Sequence, residues 1–317
     1  MDTSLVLGEL AAAGVNAWPE SRRSFSTDTG RSIFISLRSR PPTPADIERD
    51  LRNVGDGWML YQVRSMTPGL RNAVRSDDRL IVWDDEMTTL WLNRTKHRAV
   101  PPDNRLPRGR RPYVRLAIAR ALLLDDRPRR QVEIAASLGV PQSAVSHGLK
   151  NLSGQGDLVR RADRGYVVSD ALALWTYVMR QYPGPGGITT YWWHDAALEE
   201  QARMVDERTV ATLSGDLTAR AIAPWRQPEH VTLYLREGLD PSTLGFAMGS
   251  PDDYTLSITV PDDLTIFATA ETYGAVRGSV DAVIAAYDVM TTGTTGDHGE
   301  AAERIRDSVI GRRSLGA

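Results

Sequence analysis

Cysteine is missing from all 317 residues, which removes disulfides, thiolate metal ligands and thiol nucleophiles together. Lysine is nearly missing too: the basic residues are 36 arginines with only Lys96 and Lys150. The identity of an arginine therefore says little, and its position in the chain says more. No run approaches the ~18 consecutive apolar residues of a membrane span. No N-terminal stretch joins basic residues to an apolar segment as a secretion signal does. A cytoplasmic protein with no membrane partner is expected, and neither a cofactor nor a metal ion.

Hydrophobic residues at 41% and charged residues at 25% are the balance of an ordinary globular chain. At this length two or three cores are expected. The formal net charge of −2 hides a division. Residues 1–93 carry 11 basic and 13 acidic side chains, residues 94–164 carry 16 and six, and residues 165–317 carry 11 and 21. The middle block, at +10, produces a local field that a polyanion would feel. The alternative is neutralisation inside the molecule by the C-terminal block, at −10.

The local pattern of the middle block favours an external partner. AVPPDNRLPRGRR at 99–111 has three prolines, a glycine and no periodicity, which reads as a basic linker whose Arg110 and Arg111 can follow a phosphate backbone. VRLAIARALLL (114–124) is apolar all round, as in a helix buried within a small domain. RQVEIAASL (130–138) is a second helix, with Val132, Ala135, Ala136 and Leu138 expected on one side. Gly139 then suits a tight turn that needs a positive φ, and the small Ala135 lets two helices cross closely. A third helix can start at Pro141.

In that third helix Val145, Leu149 and Leu152 recur at helical spacing and face inward, leaving Gln142, Ser143, Ser146, His147 and Lys150 outside. Amide, hydroxyl and imidazole groups on such a face can reach base edges in a major groove. Two β-prone runs follow, 158–161 and 166–168, as a hairpin with Arg160, Arg161 and Arg164 near its tip. Together, EIAASLGVPQSAVSHGLKNL, GDLVRR and GYVV resemble the winged helix-turn-helix of bacterial transcription regulators. Gly148 departs from that pattern, where a bulkier residue is usual, and loose packing is expected there.

After Asp170, a cap for a helix to about Tyr182, blocks of strand and helix alternate. Residues 209–223 and 279–290 read as helices, and 189–193, 230–236, 255–260 and 265–268 as strands. VATLSGDLTARAIAPWRQPEHVTLYL (210–235), SVDAVIAAYDVM and the terminal AAERIRDSVI are similar to the C-terminal portion of AbiEi-type antitoxin and regulator proteins. That resemblance implies promoter binding and a nucleotidyltransferase toxin as a partner. Before the linker, the order α, β, α, β, α, β, β is similar to small nuclease-like domains. Their metal site needs a Glu-x-Lys, and no lysine precedes Lys96. The acidic pairs Asp252-Asp253 and Asp262-Asp263 follow prolines closely enough to be turns. No enzyme is expected.

The expectation is thus an α+β, multidomain chain: an α/β domain at 1–98, the linker at 99–111, a central winged helix-turn-helix at 112–169 and an acidic α/β partner or effector domain at 170–317. Its function would be repression of transcription on double-stranded DNA, with a homodimer presenting two recognition helices to two half-sites. The rival is a nucleic-acid-docking subunit of a defence or nuclease system.

Overall fold

The computed structural model describes residues 3–21, 23–37, 40–87, 89–98, 112–156, 158–225, 227–292 and 297–315. The chain is mixed α and β and divides into two compact units. The first comprises residues 1–106, 187–190 and 236–244, and the second 107–186, 191–235 and 245–317.

The first unit contains α1 (Thr3–Ala12), β1 (Ala17–Ser21), β2 (Ser24–Thr27), β3 (Ser32–Leu37), α2 (Pro44–Val54), β4 (Trp58–Val63), α3 (Pro68–Ser76), β5 (Leu80–Asp84), β6 (Thr89–Leu92) and β7 (Thr95–Arg98). The seven strands lie side by side in chain order. β3, β4 and β5 run parallel, and the flanking pairs are antiparallel. Parallel neighbours need a crossover, which α2 and α3 provide. β4 is buried on both faces: Trp58 and Leu60 pack with Val6 and Leu10 of α1, while Met59, Tyr61 and Val63 pack with Ile47, Leu51, Leu70 and Val74 of α2 and α3. Thr43 caps α2 as expected, its hydroxyl accepting from Asp46 N (3.2 Å) and its own N–H donating to the Asp46 carboxylate (3.0 Å). Three strands went unread from sequence. β1 and β2 are short, and β1 contains Pro19 beside a register break, so neither shows a clean alternation.

The second unit begins with α4 (Tyr113–Leu124), α5 (Gln131–Leu138), α6 (Gln142–Gly154), the antiparallel hairpin β8 (Val159–Ala162) and β9 (Gly165–Val168), and α7 (Ala171–Gln181). It continues with β10 (Ile188–Trp193), α8 (Leu198–Asp206), β11 (Ala211–Ser214), α9 (Gly215–Ile222), β12 (Val231–Leu235), β13 (Ala247–Met248), β14 (Leu256–Val260), α10 (Thr265–Tyr273), α11 (Ala282–Thr292) and α12 (His298–Leu315). Five of these strands form a sheet ordered β11-β12-β14-β10-β13. The segments 112–169 and 170–317 share one core, in which Ile118, Leu122, Val145 and Leu149 lie in the same cluster as Leu174, Val283, Ile305 and Val309.

Two expected elements are corrected. Residues 265–268 are helical, not a strand. The β-branched Thr265 and Ile266 gave the strand signal, but Asp263 accepts the Thr265 N–H and hydroxyl, and Thr269 bonds back to the Thr265 carbonyl. Residues 209–223 are not one helix, because Gly215 takes φ +60° between β11 and α9. A Cβ there would lie 2.6 Å from Thr232 Oγ1. Helix α8 also went unread. No helix among the described residues is long and apolar enough to cross a membrane.

Candidate nucleic-acid interface

The three-helix segment closes through local devices and a shared core. Glu133 accepts from the Arg130 N–H (2.9 Å) at the start of α5, and Gly139 ends that helix in the left-handed conformation, φ 62° and ψ 33°. Pro141 precedes α6 in an extended conformation, so the helix starts at Gln142 rather than at the proline. Val145, Leu149 and Leu152 are buried as the spacing predicts. The reading of α5 needs correction: Val132 and Ala136 are exposed, and Ile134 joins Ala135 and Leu138 in the core.

Gly148 is also corrected, since it packs tightly. A Cβ at this position would sit 2.5 Å from Ile118 Cδ1 and 3.6 Å from Arg115 Cα. Glycine here is what lets α6 cross α4 at close range.

Gln142, Ser143, Ser146, His147 and Lys150 are all exposed on one side of α6. In the last turn of that helix, Ser153 Oγ donates to the Val159 carbonyl (2.9 Å) and fixes the start of the hairpin. Arg160 pairs across the hairpin with Val167, and Arg161 with Tyr166. Arg160, Arg161 and the turn residue Arg164 are exposed. A third backbone segment joins this sheet, unread from the sequence: Arg129 and Tyr166 exchange both N–H···O bonds, at 3.0 and 2.8 Å. Gly165 permits that approach, because a Cβ would lie 2.4 Å from the Arg129 carbonyl oxygen. Arg110, Arg111 and the linker at 99–111 lie outside the described residues.

The arginines of the segment divide into two sets. Arg127 and Arg129 both bind Asp125, and Arg130 binds Glu133 at 2.7 Å. Burial works against the Asp125 charge, yet hydrogen bonds from Arg127 and Arg129 hold its carboxyl below the usual range. The backbone N–H and guanidinium of Arg130 do the same for Glu133. Arg120 on α4 is fully buried, with Nε on Asp281 (3.1 Å), NH1 at 3.7 Å from Asp263 and NH2 donating to Thr265 and Thr269. Lys150, Arg160, Arg161 and Arg164 form no ion pair with any described residue. Internal neutralisation by the acidic block thus involves Arg120 and leaves the cations of α6 and the hairpin free for an external anion.

A second buried carboxylate stands beside the Arg120 network. Asp288 on α11 receives hydrogen bonds from Ser214 Oγ (2.5 Å) and Tyr234 OH (2.8 Å) and forms no ion pair among the described residues. Burial raises its pKa to about 7, against those two donors.

Three buried or half-buried acidic residues, Asp84, Asp85 and Asp263, have structural partners, while Asp252 and Asp253 are exposed. Asp84 accepts three backbone N–H groups, from Met66, Glu86 and Met87, and Asp85 accepts from Gln62 and Trp83. Asp263 is buried just before α10, where its carboxylate accepts the Thr265 N–H and a hydrogen bond from Tyr182 OH. Among the described residues no group of three His, Asp or Glu side chains is placed to hold a metal ion. No protein-family model, no curated protein and no solved structure matches this chain.

Proposed function

We propose that this protein is a sequence-specific regulator of transcription, acting as a repressor, which binds duplex DNA through a winged helix-turn-helix made of α4, α5, α6 and the β8–β9 hairpin. In this reading α6 enters the major groove, with Gln142, Ser143, Ser146 and His147 facing base edges. Arg160, Arg161 and Arg164 on the wing, with Lys150, meet phosphates. The return of Arg129 to pair with Tyr166 supports the assignment, since it builds the hairpin into a small sheet against the helices.

The observation that carries the proposal is the segregation of charge. Within residues 112–164 the exposed cations without a carboxylate partner cluster on α6 and the hairpin, beside a polar, uncharged helix face. A merely solvated surface would be expected to mix signs and pair them.

The test is fluorescence anisotropy with the duplex upstream of the protein's own gene and a scrambled duplex of equal length. Gln142→Ala or His147→Ala is expected to cost about 1–3 kcal/mol of preference for the upstream duplex, with little loss on the scrambled one. Absence of duplex binding at low salt would remove the proposal.

A further inference from the structure

The second unit has a cavity of about 330 Å³ where the C-terminal end of α4 meets α10, α11 and α12. Its volume is at the lower end of the range that holds small organic ligands. Leu123, Ala282 and Val309 give it an apolar floor, all three being core residues. Its remaining walls bear Arg312, Arg313, Tyr273 and a single carboxylate, Asp126. Two guanidinium groups against one carboxylate leave the wall one positive charge in excess.

The arginines retain donors for a ligand. Arg313 NH1 donates to the carbonyls of Leu122 (2.7 Å), Leu123 (3.0 Å) and Asp125 (2.9 Å), satisfying the free end of α4. Its Nε and NH2 have no partner among the described residues. Partial burial lowers the pKa of this guanidinium, so an anion beside it would offset a desolvation cost already present. Arg312 uses Nε and NH2 on Ser308 and leaves NH1 open. Tyr273 has a buried hydroxyl with no hydrogen-bond partner.

An apolar floor below a cationic rim selects a molecule with an apolar body and one acidic group. We propose that this cavity binds a small amphipathic carboxylate, held by Arg312 and Arg313 at its acid and by Leu123, Ala282 and Val309 along its body. The site touches the helices that carry the candidate DNA interface: its wall includes the end of α4, and the wall residue Thr272 donates to the Ser137 carbonyl in α5 (3.4 Å). Occupancy therefore shifts DNA affinity, a consequence that rests on the DNA-binding reading, whereas ligand binding itself does not.

Isothermal titration of the full chain with benzoate, and with the neutral benzamide as control, tests the site without DNA. Saturable benzoate binding is expected with a dissociation constant near or below about 1 mM, and benzamide about tenfold weaker or worse. Arg312→Gln, at an exposed position, is expected to weaken benzoate about tenfold. Ala275→Leu, in the cavity wall, fills the space and abolishes binding, and an unchanged melting temperature shows that each variant is folded. No saturation by about 10 mM, equal binding of benzamide, or benzoate binding indifferent to both substitutions overturns the proposal. Anisotropy with duplex DNA in the absence of benzoate reports on the DNA interface separately, so failure of one reading is not failure of the other.

Discussion

Arg120 and Arg161 belong to the same basic segment and differ in every physical respect. The first is fully buried in α4, enclosed by Asp263, Asp281 and two threonine hydroxyls. The second stands exposed in β8 with no acidic partner among the described residues. A count of charge along the chain treats them alike. Inside, a guanidinium holds helices together and is costly to orphan. Outside, it stays in solvent, where the loss of such a group costs little. Burial of Arg120 means that the net +10 of the segment overstates the field at its surface; among the described residues of 112–164, Lys150, Arg160, Arg161 and Arg164 are the exposed cations with no acidic partner, and the proposed function assigns these to DNA.

Removing the buried member is the severest way to probe this contrast. Arg120→Met leaves Asp263 and Asp281 buried without their cation, a change that costs about 3–5 kcal/mol. Urea unfolding should show that loss, and α4 and α10 should loosen together.

The neighbouring carboxylate, Asp288, provides a second interior test. Its folded pKa of about 7 lies above the usual 3.8, so the folded state holds the proton more tightly than the unfolded chain. The associated stability is complete below about pH 4 and is lost as pH rises through 7. Asp281 opposes ionisation and Arg120 favours it, while Ser214 and Tyr234 bond the group directly. A loss on the order of a few kcal/mol across that window is expected. Asp288→Asn, which keeps the shape and the bond from Tyr234, should flatten the profile measured by denaturant midpoint.

Gly148 lies between the two regions, and enlarging it affects both. Gly148→Leu forces α6 away from Ile118 and should cost about 1–3 kcal/mol, with a matching loss of DNA preference because the Gln142–Lys150 face moves. Stability falling while preference is retained would separate the α4–α6 crossing from recognition.

What the sequence revealed follows the same inside–outside line. The spacing of Val145, Leu149 and Leu152 fixed which side of α6 is buried, and Gly139 marked its turn, because both signals are local. The role of Gly148 was misread, since only the position of Ile118 on another helix shows that a Cβ there would lie 2.5 Å from its Cδ1 and force it to move. The Arg120 network was illegible for the same reason: its partners, Asp263 and Asp281, lie far along the chain, and Asp263 looked like an ordinary turn after Pro261. Thr265 and Ile266 carried a strand signal that the buried Asp263 carboxylate, accepting the Thr265 N–H and hydroxyl, overrode. The seven-stranded sheet was partly visible in Trp58–Val63 and Leu80–Asp84, whose runs are buried on both faces, and invisible at β1 and β2, where Pro19 and a register break conceal the period.

The smallest expected effect on the fold, and the most direct test of the account, is the salt dependence of duplex binding by the Arg160→Ala, Arg161→Ala, Arg164→Ala triple variant beside the unaltered chain. Each lost phosphate contact should make the slope of log affinity against log salt shallower by about 1, or about 3 in all, with the urea midpoint unchanged because none of the three has an ion-pair partner to orphan. Equal slopes in the two proteins, or a flat response in the unaltered chain, would contradict the assignment of these arginines to DNA.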